Sequence, residues 1–134
     1  MEKTLYGVAV DLKLLPNVLS FLREKVKPGM NIGVEYTAEH YAALFNRNNI
    51  PPQDNFWRQI IDFLKEKKCN VVFLDSPELR NEINVAHHKR ALTLADAKKV
   101  FAREEVFLQK IPGCKISVLG AAHAIRLSRK TGIL

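Results

Sequence analysis

Lys115-Ile-Ser-Val-Leu-Gly-Ala-Ala-His123 is a short apolar, β-branched run that stops at Gly120 and sets a histidine three residues later. It reads as strand, tight turn and helix start. A glycine at the turn admits backbone geometry that other residues resist. The helix that follows, from Ala121 to Lys130, aims its free amides and positive dipole end at that turn. His123 is therefore expected at the mouth of a strand–helix crevice, where open α/β sheets bind their ligands.

Outward from this stretch the pattern repeats. Thr4 to Val10 is an apolar run of strand length ending at Asp11. Pro16 suits a first helical turn, and Val18, Leu19, Phe21, Leu22 and Val26 supply an apolar helical face that Lys27-Pro28-Gly29 ends. Asn31 to Tyr36 is a second strand, with Glu35 near its carboxyl end and Thr37 as N-cap of a short helix over Ala38 to Asn46. A proline loop follows, then a helix expected to be capped by Asp54 and buried through Phe56, Trp57, Ile60, Ile61 and Leu64. Val71 to Leu74 is a third strand followed by Asp75. Ser76-Pro77-Glu78 opens a long helical pattern reaching Lys110, with Thr93 offering a second cap, so two helices or a kinked one are expected. Ile111-Pro112-Gly113 breaks that pattern and leads back to the strand at Ile116. Alternating strands and helices predict one α/β domain over residues 1–134, three layers deep, with a mainly parallel sheet of about four strands and helices on both faces.

Composition narrows the partners. With 134 residues and 47% hydrophobic content the chain can bury a core without staples. Cys69 and Cys114 each precede an apolar run and read as small hydrophobes rather than a disulfide or metal pair. With no secretory pattern and no long apolar span, the expectation is a soluble cytoplasmic protein with no membrane partner. The formal net charge of +7 would suit nucleic acid. Its lysines and arginines are spread over helix ends and polar faces, however, with no aromatic platform between them.

Parallel strands would align Asp11, Glu35, Asp75 and Gly120 to His123 along one edge. Three carboxylates and an imidazole could hold a divalent ion such as zinc or manganese and activate water, with Glu35, His123 and Asp11 as the ligand candidates. Asp75 is equally placed to cap the next helix. Glu35 lies inside an apolar strand pattern, so it serves function or a structural ion pair. His123 is either a ligand or acid–base group, or a histidine hydrogen-bonded near a helix start. His87-His88 is a poor pair, since neighbours on a helix point apart.

The order of Gly33-Val34-Glu35, then Ala102-Arg103-Glu104, then Val118-Leu119-Gly120-Ala-Ala-His123-Ala124 resembles the TraB/Tiki-like superfamily, which takes in ChaN-like and erythromycin-esterase-like proteins. The resemblance implies an α/β fold whose catalytic residues, Glu35, Arg103, Glu104 and His123, converge at the strand ends, in some members for metal-dependent hydrolysis. The family's first strand usually ends in a further Gly-x-x-His. Here Gly7-Val8-Ala9-Val10 has valine at that place, which implies a reduced metal-dependent hydrolase or a remnant binding a small-molecule or peptide ligand. A homodimer or other homo-oligomer is compatible with either. The alternative is a basic nucleic-acid- or protein-binding domain without catalysis.

Overall fold

The computed structural model describes residues 3–78 and 94–133. Four strands, β1 (Thr4–Val8), β2 (Asn31–Val34), β3 (Asn70–Phe73) and β4 (Ile116–Gly120), form one sheet in the order β1-β4-β2-β3. Every pairing is parallel, with Tyr6 and Val34 both opposite Val118, and Val34 opposite Phe73. The predicted α/β class and parallel sheet are thus observed. Five α-helices are described: α1 (Leu15–Lys25), α2 (Ala38–Leu44), α3 (Pro52–Glu66), α4 (Leu94–Lys110) and α5 (Ala121–Thr131). The His87-His88 pair and the Thr93 cap fall outside the described residues.

The strand order dictates the layers. The chain steps from β1 past the β4 position to β2 and on to β3, then returns to β4. Right-handed crossovers place helices of opposite steps on opposite faces. Accordingly Leu15, Val18 and Leu22 of α1, Tyr41 and Leu44 of α2, and Phe56, Trp57, Ile60, Ile61 and Leu64 of α3 share a core with Val8, Ile32, Val34 and Val118. On the other face Phe107 of α4 and Ala124 and Leu127 of α5 pack with Leu5, Leu74, Cys114 and Leu119. Side chains alternate along a strand, so Ile32 and Val34 enter the first core while Gly33 backs onto Leu74 and Cys114 of the second. Glu35, one step past Val34, inherits the Gly33 face.

Two local expectations change. Asp54 does not cap α3: the helix begins at Pro52 behind Pro51, and Asp54 sits in its first turn, accepting the Tyr36 hydroxyl at 2.8 Å. Gly120 is not conformationally special, with φ −54° and ψ 143°. It matters for close approach, because a Cβ there would stand 3.3 Å from Glu35 Oε1. On α4, Phe101 is exposed while Arg103 and Glu104 are buried. Thr37 does cap α2, accepting the His40 amide at 3.0 Å. Among the described residues no helix is long and apolar enough to cross a membrane.

Candidate functional site: a buried charge cluster at the carboxyl edge

Adjacent strands β2 and β4 send their chains to opposite faces, β2 toward α2 and α3 and β4 into α5. Such a switch point opens a crevice at the carboxyl ends. Glu35 stands there on the face covered by α4 and α5. Arg103 and Phe107 lie four residues apart on α4 and so share a side of the helix, and Glu104 and Phe107 are three apart. That side presses the guanidinium and carboxylate onto the sheet edge.

Arg103 is a fork between two acids. Its Nε and Nη2 donate to Asp75 Oδ1 and Oδ2 at 2.8 and 2.6 Å, and Nη2 also donates to Glu35 Oε2 at 3.1 Å. Burial works against the charged guanidinium, but the Asp75 hydrogen bonds and the Glu35 and Asp75 charges outweigh it and hold Arg103 above its ordinary pKa. The other Glu35 oxygen, Oε1, accepts the Gly120 amide at 2.9 Å. Glu35 therefore ties β2, α4 and the start of α5 together.

His123 is oriented from behind. Its Nδ1 lies 2.6 Å from Glu104 Oε2, which also accepts Arg126 Nε at 2.7 Å. Burial pushes the Glu104 carboxyl up, yet the hydrogen bonds from Arg126 and His123 more than reverse this and hold it below the usual carboxylate range. An ionised Glu104 only accepts, so Nδ1 must carry the proton, and in the neutral ring Nε2 is a bare acceptor. Arg126 Nη2, 3.3 Å from Nδ1, is a second donor turned to the same carboxylate. Phe107 packs edge-on against the imidazole at 5.5 Å between centroids. The Nε2 atom faces Glu35 Oε1 across 3.9 Å, too far for a direct hydrogen bond.

Four of these groups are almost out of water: Glu104 is 0% exposed, Asp75 4%, and Glu35 and Arg103 7% each. Buried ion pairs seldom improve on apolar packing, which makes this concentration of charge at a switch point the candidate site. Glu35, Arg103, Glu104 and His123 are brought together as the sequence suggested. Asp11 is not among them: its exposed carboxylate accepts the Lys13 amide at 3.0 Å and caps the 3-10 turn Leu12–Leu14. Without Asp11, the facing donors for a divalent ion are Glu35 and His123. Among the described residues no group of three or more His, Cys, Asp or Glu side chains could hold a metal ion. The Arg103 guanidinium on Glu35 adds repulsion, so the described donor set does not fit zinc or manganese.

One participant goes unassigned in the sequence, and one is placed without its partner. Asp75 aligns at this edge but also reads locally as a helix cap, and its partner Arg103 is 28 residues away. Arg126 reads as one of several solvated cations, although its i, i+3 spacing from His123 was the available signal. Compared with known proteins, no family model matches the chain, and neither a curated protein nor a solved structure matches it.

Proposed function

We propose that the chain is a small ligand-binding α/β domain, a reduced relative of the TraB/Tiki-like proteins, in which Glu35 and His123 grip a small-molecule or peptide ligand at the carboxyl edge. One observation carries the reading: His123 is locked through Nδ1 by a buried carboxylate, leaving Nε2 directed at Glu35 Oε1 3.9 Å away. Fixing one ring nitrogen to orient the other is how proteins prepare a histidine to bind a ligand or pass a proton. Arg103 holds Glu35 in place and is a positioning residue. Hydrolysis through a bound metal is not part of the proposal, because the described donors do not complete such a site.

A ligand-observed NMR screen of small polar molecules and short peptides tests it, with a Glu35→Ala/His123→Ala double variant as reference. Compounds that bind the wild type and weaken at least about tenfold on the variant support the reading. Binders that ignore the double substitution would remove it.

A second reading has its own observation. At the opposite, amino edge a groove of about 710 Å³ is lined by Lys3, Lys27 and Lys115, with no acidic residue among the described lining residues. A polyanion such as nucleic acid would engage these lysines. Three phosphate contacts predict a log K against log salt slope of roughly −2 to −3, reduced by Lys27→Gln and Lys115→Gln. A flat salt profile would exclude it.

A further inference from the structure

The two edges of the sheet are finished differently. Backbone groups of successive residues in a strand point to opposite sides, so an outer strand leaves every second residue's N–H and C=O unpaired. In β3 the Leu74 amide donates to Val34 O, which leaves Phe73 turned outward, and there Lys110 Nζ donates to the Phe73 carbonyl at 2.9 Å. A lysine laid on an edge guards it against further pairing. In β1 the Thr4 amide donates to Lys115 O beside β4, so Thr4, Tyr6 and Val8 turn to the sheet while Leu5 and Gly7 turn outward. Among the described residues nothing bonds the outward N–H and C=O of Leu5 and Gly7. The strand Thr-Leu-Tyr-Gly-Val carries no charge and no proline to block pairing, and Gly7 is exposed.

Both faces beside that open edge are grooved. On the α5 face a groove of about 480 Å³ is lined by Leu5, Gly7, Ala124, Ile125 and Arg129. On the α1 face one of about 360 Å³ is lined by Thr4, Phe21, Lys25 and Lys115. Side chains alternate between the faces of a strand, so an extended chain laid along β1 drops them into the two grooves in turn. The charge of both grooves has one sign. Arg129, Lys25 and Lys115 line them with no acidic residue among the described lining residues, and none of the three cations forms an ion pair among the described residues. Lys25 and Arg129 lie in the last turns of α1 and α5, and Lys115 precedes β4, which gathers all three at the amino end of β1.

We infer that the open edge of β1 docks an extended acidic peptide segment by strand addition. The segment's backbone pairs with the N–H and C=O of Leu5 and Gly7, its alternate side chains enter the two grooves, and its carboxylates lie beside Thr4 against Lys25, Lys115 and Arg129. Main-chain bonds supply affinity in this mode and the side-chain grooves supply selectivity. The five residues of β1 fit a docked length of roughly five or six residues at about 3.3 Å each. A second copy is disfavoured as the occupant, because two chains of formal net charge +7 repel. The surface includes neither Glu35 nor His123, so the inference stands or falls independently of the pair at the carboxyl edge.

The test is an NMR titration of the intact chain, following the Leu5 and Gly7 amides and their hydrogen exchange. The probes are Ac-Glu-Glu-Val-Thr-Val-Thr-NH2 and Ac-Val-Thr-Val-Thr-Glu-Glu-NH2, one suited to each direction of strand addition, with Ac-Lys-Lys-Val-Thr-Val-Thr-NH2 as the basic control. The expected result is saturable binding of one acidic peptide with Kd below about 1 mM, slower exchange at Leu5 and Gly7, and at least about tenfold weaker binding of the basic peptide. The tighter acidic peptide with alternate amides N-methylated, which removes its ladder donors, should also weaken at least about tenfold. A Lys25→Gln/Arg129→Gln variant, changed only at exposed side chains, should weaken it several-fold with the amide spectrum of the fold intact. The probe comparison uses wild-type protein alone and stands even if that variant misfolds. A basic or N-methylated peptide binding as tightly as the acidic one would overturn the inference, as would no response at Leu5 and Gly7 up to about 5 mM of either acidic peptide. So would a single-stranded oligothymidylate that shifts these amides as strongly, or amide shifts on dilution of the free protein, which would name a second copy as the occupant.

Discussion

Replacing Arg103 with methionine removes a guanidinium that bridges two carboxylates at the sheet edge. The side chains of Arg103, Glu35 and Asp75 are 8%, 10% and 0% exposed, so water cannot take over the solvation that Arg103 provides. Breaking a buried pair by deleting one partner typically costs about 3–5 kcal/mol, since the other charge is left stranded. For a domain of this size that is roughly 10–20 °C in Tm, and a large share of the ~5–15 kcal/mol that ordinary domains possess. Urea denaturation at neutral pH measures it. Adding Glu35→Gln sharpens the test. In the wild type this substitution should destabilise, whereas in the Arg103→Met background it removes a stranded charge and should restore about 1–2 kcal/mol. A loss below about 1 kcal/mol for Arg103→Met, or Glu35→Gln effects that simply add, would refute the description of the cluster as buried and mutually dependent.

Glu104→Gln should change the acid limb of stability. The folded carboxyl lies below its ordinary value of 4.5, so its stabilisation is complete above the unfolded pKa and is lost as pH falls through the folded one. The wild type's lead over the variant should be constant from neutrality down to about pH 5 and shrink in stronger acid, and a lead that grows on acidification would contradict the assignment. Gly7→Ala should cost about 1–3 kcal/mol by overpacking, because the new Cβ would stand 3.2 Å from both Ala121 Cα and Ala124 Cβ where α5 crosses β1. A neutral result in thermal denaturation would mean that this contact is looser than described. Tyr41 should resist ionisation. Burial and its bond to Asp62 push it up to about 12, so its share of the phenolate absorbance should appear late in an alkaline titration and vanish in Tyr41→Phe.

The fold was legible because its signals are local and repeated. Apolar runs such as Ile116 to Leu119, each followed by a helical stripe, specify parallel strands with crossover helices, and period-two alternation along Ile32, Val34 and Glu35 already assigns the last of these to the face opposite Val34. Part of the cluster was legible too: a carboxylate in an apolar strand needs a partner, and a histidine after the last strand stands at the sheet edge, whereas Arg103 and Glu104 entered only through the resemblance to the TraB/Tiki-like superfamily. What escaped was long-range. Asp75 beside Ser76-Pro77 satisfies every local rule for a cap, and only the three-dimensional return of α4 shows that it clamps Arg103. Asp11 failed as a ligand for the converse reason, because the nearby Lys13 amide satisfies it. Gly120 carries no unusual dihedral, so its role as the floor of the Glu35–His123 gap depends on the approach of side chains from two other elements.

The central claim is that Glu104 fixes His123 so that Nε2 faces Glu35 as an acceptor. The most direct measurement is the tautomer of neutral His123, read from the two ring-nitrogen shifts and their couplings to the ring protons in a long-range ¹H–¹⁵N spectrum. The account predicts a proton on Nδ1 and a bare Nε2, reverting toward the opposite form in Glu104→Gln. A neutral His123 with its proton on Nε2 in the wild-type protein would contradict it.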